Sequence, residues 1–298
     1  MVRFLASRSA VCGCPAYFTI EASKGAVKMW EIVVAAGWGW LWGVVAMIAV
    51  RFLFRIRGWT ALNYRRESIP LGYGLLFVPL FLMEAVWIAV AQQTVELAVG
   101  MLASAGMGLA GWFDDRFGTD GPKGLRGHVL ALQHGVVTTG MIKVLAAFCL
   151  ALLAASVRPV SLLEMAADVL LIMLSTNLIN LLDLRPGRAL KGSGLLLIIA
   201  ATAGTLPLDG VLVWACVLGC MVAAARDDLR GRVMLGDTGA NALGFLGGVL
   251  CIHSLGVSVK IGLLVLFGAL HLYAERSSIT AYIEKSRLLR RLDEWGRG

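Results

Sequence analysis

The chain has 298 residues, of which 58% are hydrophobic and 15% charged, and its formal net charge at pH 7 is +8. Its mean hydropathy is +0.79. Soluble domains carry about 25% charged residues, so this balance excludes an ordinary water-soluble fold and points to one polytopic membrane bundle. The positive charge does not mark a nucleic-acid partner, because no basic–aromatic module accompanies it.

Residues 1–31 read as an N-terminal extension, of which residues 1–28 lack the continuous apolar core of a signal peptide. Cys12 and Cys14 form a C-x-C with no matching second pair, too little for a zinc site. Met29 directly precedes the first apolar run, so Met1 and Met29 are both candidate starts. Runs close to the ~20 residues a spanning helix needs fall near 32–52, 72–91, 96–113, 138–156, 161–182, 193–207, 209–225, 240–256 and 257–274. The sixth and seventh are short and separated only by "LPLD". The expected fold is all-α: a transmembrane helix bundle over 32–274 with nine or ten spans, followed by a basic tail over 275–298. In that tail Ile283, Leu288, Leu289, Leu292 and Trp295 alternate with arginines, the pattern of an amphipathic helix on a leaflet. A lid is the other reading of the same segment.

Counted from an outside N-terminus, the loops at 53–71, 114–137, 183–192 and 226–239 and the tail share one side and hold most of the Lys and Arg. Arg158 is the main exception. Lys/Arg excess marks the cytoplasmic face, so the expectation is a multi-pass plasma-membrane protein whose active face is cytoplasmic. Asp114, Asp115, Asp183, Asp227, Asp228 and Asp237 all fall on that side, on four different loops. One such aspartate is ordinarily a solvated anchor. Carboxylates gathered by a bundle need a cation, and Mg²⁺ takes oxygen ligands from one or two carboxylates and from substrate phosphates.

The same loops carry phosphate partners: Lys123, Arg126, Arg185, Arg188 and Lys191. His128, close to Arg126, is either structural or a phosphate or nucleotide contact. Asn177, Asn180 and Asp183 recur every three residues and share one side of a helix end. They either orient a ligand or hydrogen-bond between helices. Asp237 precedes a helix start and is either its N-cap or part of an anion-and-metal site. Lys143 either snorkels to the interface or reaches a lipid phosphate. Glu84 and Asp168 lie inside spans, where charge is costly, and the sequence does not name their partners.

Three elements in order carry a family resemblance. "GWFDDRFG", "NLINLLD" and "GDTGANALGFLGG" resemble the aspartate pair, the N-x-x-N-x-x-D motif and the G-D-x-G-S motif of the polyprenyl-phosphate sugar-1-phosphate transferases, glycosyltransferase family 4. "RRESIPLGYG" is similar to the basic, glycine-containing approach to their second span, and the resemblance covers roughly 51–275. It implies a bundle of about ten helices with a cytoplasmic catalytic cleft. It also implies transfer of a sugar-1-phosphate from a UDP-sugar to a polyprenyl (undecaprenyl) phosphate in the bilayer, with Mg²⁺ (or Mn²⁺) and release of UMP, for cell-envelope polymers. A homodimer is compatible with it. By resemblance Asp237 is the leading metal ligand, joined by Asp114. Asp114 or Asp115 places the acceptor phosphate or acts as base, and Asp183 organises the metal or diphosphate. Asn177, Asn180, Arg185, Arg188, Lys191, Lys123, Arg126, His128 and Lys143 fall to the substrates.

Two departures stand out. Where the family continues its second motif with another aspartate, this chain has Pro186, flanked by Arg185 and Arg188; and the tail lacks the family's histidine cluster. Beside the active transferase stand two alternatives. One is a family-derived protein that binds lipid phosphate or nucleotide without transfer. The other is a transporter, motivated by Glu84, Lys143 and Asp168 inside spans but without a half-repeat.

Overall fold

The computed structural model describes residues 19–22, 25–63, 65–92, 94–118, 133–134 and 138–297. Among these residues, two short antiparallel hairpins interrupt an otherwise helical chain. β1 (Thr19–Ala22) pairs with β2 (Gly25–Lys28), and α1 (Met29–Arg57) follows at once, its Glu31 side chain accepting the Lys28 N–H at 3.0 Å. Gly58, at φ 62°, ends α1 by donating its N–H to the Phe54 carbonyl, the left-handed turn that glycine allows. β3 (Thr60–Leu62) and β4 (Ser68–Pro70) form the second hairpin. Asn63 closes its turn, accepting from the Arg65 and Glu67 backbone N–H groups at 2.8 and 2.9 Å.

One 3₁₀ turn (Tyr73–Leu76) leads into α2 (Phe77–Trp87), which continues as a π-helical turn (Ile88–Gln92). Then come α3 (Val95–Phe117), α4 (Thr139–Ser156), α5 (Leu162–Leu182) and α6 (Arg188–Thr202). α7 (Leu208–Leu229), α8 (Gly236–Ser254) and α9 (Val257–Arg276) complete the bundle. The tail forms α10 (Ile279–Lys285) and α11 (Arg287–Glu294). Thr138 and Ser161 cap α4 and α5 through their side chains, accepting from the N–H groups of Met141 and Glu164.

Each apolar run of the sequence becomes a helix, and among the described residues seven helices are, by length and composition, long and apolar enough to cross a membrane. The two that fall short do so for different reasons. α6 has 15 residues, about 22 Å at 1.5 Å per residue, against a hydrocarbon core of about 30 Å. α8 has 19 residues but opens on the polar "GDTGAN" and is rich in glycine.

α8 has little need of hydropathy, because it is the centre of the bundle. α3, α5, α6 and the 3₁₀ turn before α2 pack around it, and all but Asp237 and His253 of its residues are buried. Its glycines permit that closeness: a Cβ at Gly244 or at Gly248 would lie 2.8 Å from the Cα of Thr176 or of Ile172. α1 lies against α7 by the same device, with Gly39 and Gly43 facing Cys216 and Ala223, the small-residue seam of membrane helices. Outer faces stay apolar and exposed, as at Val33, Ile48 and Phe52 on α1 and Val265 and Leu272 on α9. Apolar surface so continuous fits lipid and not water.

Candidate active site

The ends of α3, α5 and α7 and the starts of α4, α6 and α8 meet at one end of the bundle, held by a backbone seam. The Met234 N–H donates to the Pro70 carbonyl, while Tyr73 and Gly74 donate to the carbonyls of Met234 and Leu235, all at 2.9–3.0 Å. The seam aims "GDTG" at the C-terminal end of α3. Gly236 turns there at φ 68°, and a Cβ on it would sit 2.6 Å from Asp115 Oδ2, so the position demands glycine on two counts.

Asp115 caps α8 from another helix. Its Oδ1 accepts the Asp237 N–H at 3.0 Å, and its Oδ2 accepts the Thr238 N–H at 2.9 Å and the Thr238 hydroxyl at 2.6 Å. A carboxylate at a helix N-terminus satisfies donors that the helix leaves open and meets the positive end of its dipole. The N-cap alternative for Asp237 therefore gives way. Leu235 is the cap residue and makes no side-chain cap bond, and the carboxyl of Asp237 turns off the helix.

It turns to Lys143 on α4. The Lys143 ammonium donates to Asp114 at 2.8 Å and also pairs with Asp237. Asp114 and Asp237 are additionally within hydrogen-bonding reach of each other. Carboxylates 123 positions apart in the chain thus share one cation position. Asp183, at the end of α5, accepts the Gly236 N–H. Burial first, and then the charges of Asp228, Asp115 and Asp237, hold its carboxyl well above the ordinary carboxylate range. Asp228 is buried and accepts the Gly187 N–H at 2.8 Å. Asp227 faces elsewhere, pairing with Arg51 and lying 3.8 Å from Arg232.

Among the described residues no group of three His, Cys, Asp or Glu side chains is disposed to hold a metal ion. The donor set at the shared position is nonetheless all oxygen, and two carboxylates match what Mg²⁺ usually takes from protein. Asp114 and Asp237 fit that ion; Asp115, with both oxygens engaged, does not offer itself. Beside them Trp59, Trp112 and Arg116 border a cavity of about 30 Å³, with the Arg116 guanidinium 4.8 Å from the Trp59 ring centroid.

The remaining sequence candidates divide. Lys123, Arg126 and His128 lie outside the described residues. Asn177 is exposed and Asn180 half-buried on the α5 end that carries Asp183. Arg185 lies 3.8 Å from Glu284. Arg188 is buried and grips Asp293 of α11 through both its Nε and Nη2, at 2.7 and 2.8 Å. Lys191 donates to the carbonyls of Leu292, Asp293 and Trp295 at 2.7–2.9 Å. The tail thus docks its polar face on the 183–187 loop and the first turn of α6 while Leu288, Leu292 and Trp295 stay exposed.

Two site residues escaped assignment from the sequence. Asp228 was visible as half of an aspartate pair in "ARDDLRGR", but nothing local told it from Asp227. Asp293 gave no signal, since its partner Arg188 stands 105 positions away.

Long apolar helices, apolar outer surfaces and carboxylates gathered at one end define a polytopic helical membrane protein with an acidic site at one end of its bundle. No family model matches the chain. It is similar to the phospho-N-acetylmuramoyl-pentapeptide-transferase of Acaryochloris marina (strain MBIC 11017), with 28% identity over 219 residues. The aligned part is 69% of this chain and 58% of that protein, so the chain spans under two thirds of its relative's length. The similarity agrees with the resemblance carried by the motifs.

Proposed function

We propose that the chain transfers a sugar-1-phosphate from a UDP-sugar to a polyprenyl phosphate at the cytoplasmic face of the plasma membrane. The observation that carries this reading is the meeting of Asp114, Asp237 and Lys143 beside Asp183 at one end of an apolar bundle. A lipid phosphate arrives from the bilayer and a nucleotide diphosphate from water, so their reaction belongs at that boundary. An oxygen of the lipid phosphate attacks the sugar-bearing phosphorus of the donor. A P–O bond forms, the P–O bond to the nucleotide breaks, and UMP leaves with the bonding pair. Phosphoryl transfer of this kind depends on positioning and on neutralising charge.

Lys143 supplies a cation for the phosphates, and Asp114 accepts any proton the acceptor phosphate still carries. Asp115 works one step back, fixing the start of α8 and with it the direction of Asp237. Asp183 and the loop after it form the donor side, with Asn177, Asn180 and Arg185. Asp114 and Asp237 would hold Mg²⁺, which when bound draws phosphate oxygens together and offsets their charge.

A second reading, a lipid-phosphate or nucleotide binder without transfer, draws support from Pro186 and from the commitment of Arg188 and Lys191 to the tail. One experiment separates the two. Purified protein in nanodiscs receives polyprenyl phosphate, a panel of UDP-sugars and Mg²⁺, and UMP release is measured with Asp237→Asn alongside. The transfer reading expects release with at least one donor and about a hundredfold loss in the variant. Lipid phosphate bound but no UMP from any donor would establish the second reading instead.

A further inference from the structure

The contacts around Arg188 do more than fasten a tail. Arg188 is buried and carries the bidentate pair with Asp293 and a hydrogen bond to Thr280 Oγ1 at 2.7 Å. Arg297 closes the other side of Asp293, donating at 2.6 and 3.1 Å, and also donates to the Pro186 carbonyl at 2.7 Å. Lys191 completes the last turn of α11 by capping three carbonyls, the favourable place for a cation on a helix. The tail therefore holds the 183–187 loop at Arg185 and Pro186 and the first turn of α6 at Arg188 and Lys191. From inside the bundle the same loop is held at Gly187, whose N–H meets Asp228. Gly187 sits at φ 79°, so the loop turns sharply between its two anchors.

We propose that Asp293 is a positioning residue for the donor: α11 acts as a clamp that fixes the 183–187 loop and the start of α6, and so Asp183, in the geometry that receives the nucleotide diphosphate. This rests on the transfer reading for the identity of the ligand, but not for the clamp itself. Asp293 is the one carboxylate in this contact with two guanidinium partners among the described residues. Burial alone would raise its pKa, and the Arg188 and Arg297 charges outweigh that and hold it below the ordinary carboxylate value. It stands against the loop in which Pro186 replaces an expected carboxylate.

The test uses the full chain in nanodiscs, with Asp293→Asn and Asp293→Glu beside the wild type. Hydrogen exchange by mass spectrometry is read for 183–191 and 279–297, and donor and acceptor kinetics are measured with the donor that the wild type turns over. The clamp expects Asp293→Asn to speed exchange at least tenfold in both segments and to raise the donor KM at least tenfold. Acceptor KM and kcat should stay within about twofold, and Asp293→Glu should recover most of the donor KM. Faster exchange in the tail alone, with an unchanged donor KM, would overturn it; so would a fall in kcat at constant KM. If the wild type turns over no donor, the transfer reading fails by itself and exchange alone judges the clamp. Linked loss of protection in loop and tail then supports it, and loss in the tail alone refutes it.

Discussion

Asp115→Asn separates two roles that the sequence could not. In the structure its carboxylate accepts three hydrogen bonds at the start of α8, from the Asp237 N–H, the Thr238 N–H and the Thr238 hydroxyl. Asparagine keeps one acceptor oxygen, loses the charge, and turns an NH₂ toward a donor. Hydrogen bonds to a charged group contribute about 1.5–3 kcal/mol each, and a buried donor left unpaired costs about 1–3 kcal/mol. Relief of the burial of a charge, and then of the repulsion between Asp115 and Asp237, offsets part of this. The net expectation is a loss of about 2–4 kcal/mol, a fall in Tm of about 4–16 °C at the 2–4 °C per kcal/mol usual for domains of 150–250 residues. Intrinsic tryptophan fluorescence during heating in nanodiscs measures it, with Asp114→Asn as the comparison, since Asp114 caps no helix. If Asp115→Asn keeps the wild-type Tm and only turnover is lost, Asp115 acts on the reacting atoms and the capping argument is wrong.

Asp183→Asn should stabilise the chain while impairing transfer. Its native pKa lies above the ordinary value of 3.8, so across that window the folded state binds the extra proton and stability falls as pH rises. The variant should have a higher Tm at neutral pH and a flatter dependence of Tm on pH, and an unchanged slope would contradict the assignment. At the opposite end of the bundle, buried Asp168 pairs with Arg158 and with Lys260, which also meets Glu164 at 2.6 Å. Asp168→Asn strips one of two carboxylate partners from a lysine that is 2% exposed, at a cost below the ~3–5 kcal/mol of a buried charge left wholly unpaired. Thermal unfolding should register that loss, and the donor KM should not move.

Composition and the spacing of apolar runs were enough for an all-α membrane bundle, because a lipid-facing helix must be apolar along its whole length. Hydropathy is a weaker guide where that requirement lapses. α8 is surrounded by protein and can be polar at its start and glycine-rich beyond it, so burial stands in for hydropathy. The site was legible in outline as aspartates in the short polar stretches between long apolar runs, although Asp227 turns away from it. Their division of labour was not legible. Asp114 and Asp115 are neighbours in "FDDR", yet α3 presents successive residues about 100° apart, one to Lys143 and the other to the start of α8.

What the sequence determined by itself is therefore local and periodic: which segments are helices, which face carries the charge, and which motifs resemble a transferase. Tertiary structure decided what depends on contacts between distant positions. Glu84 meets Cys216, Asp168 meets Lys260, Asp237 meets Lys143 and Arg188 meets Asp293. A charge removed from water must find a partner, but only the packed helices determine which one lies within reach.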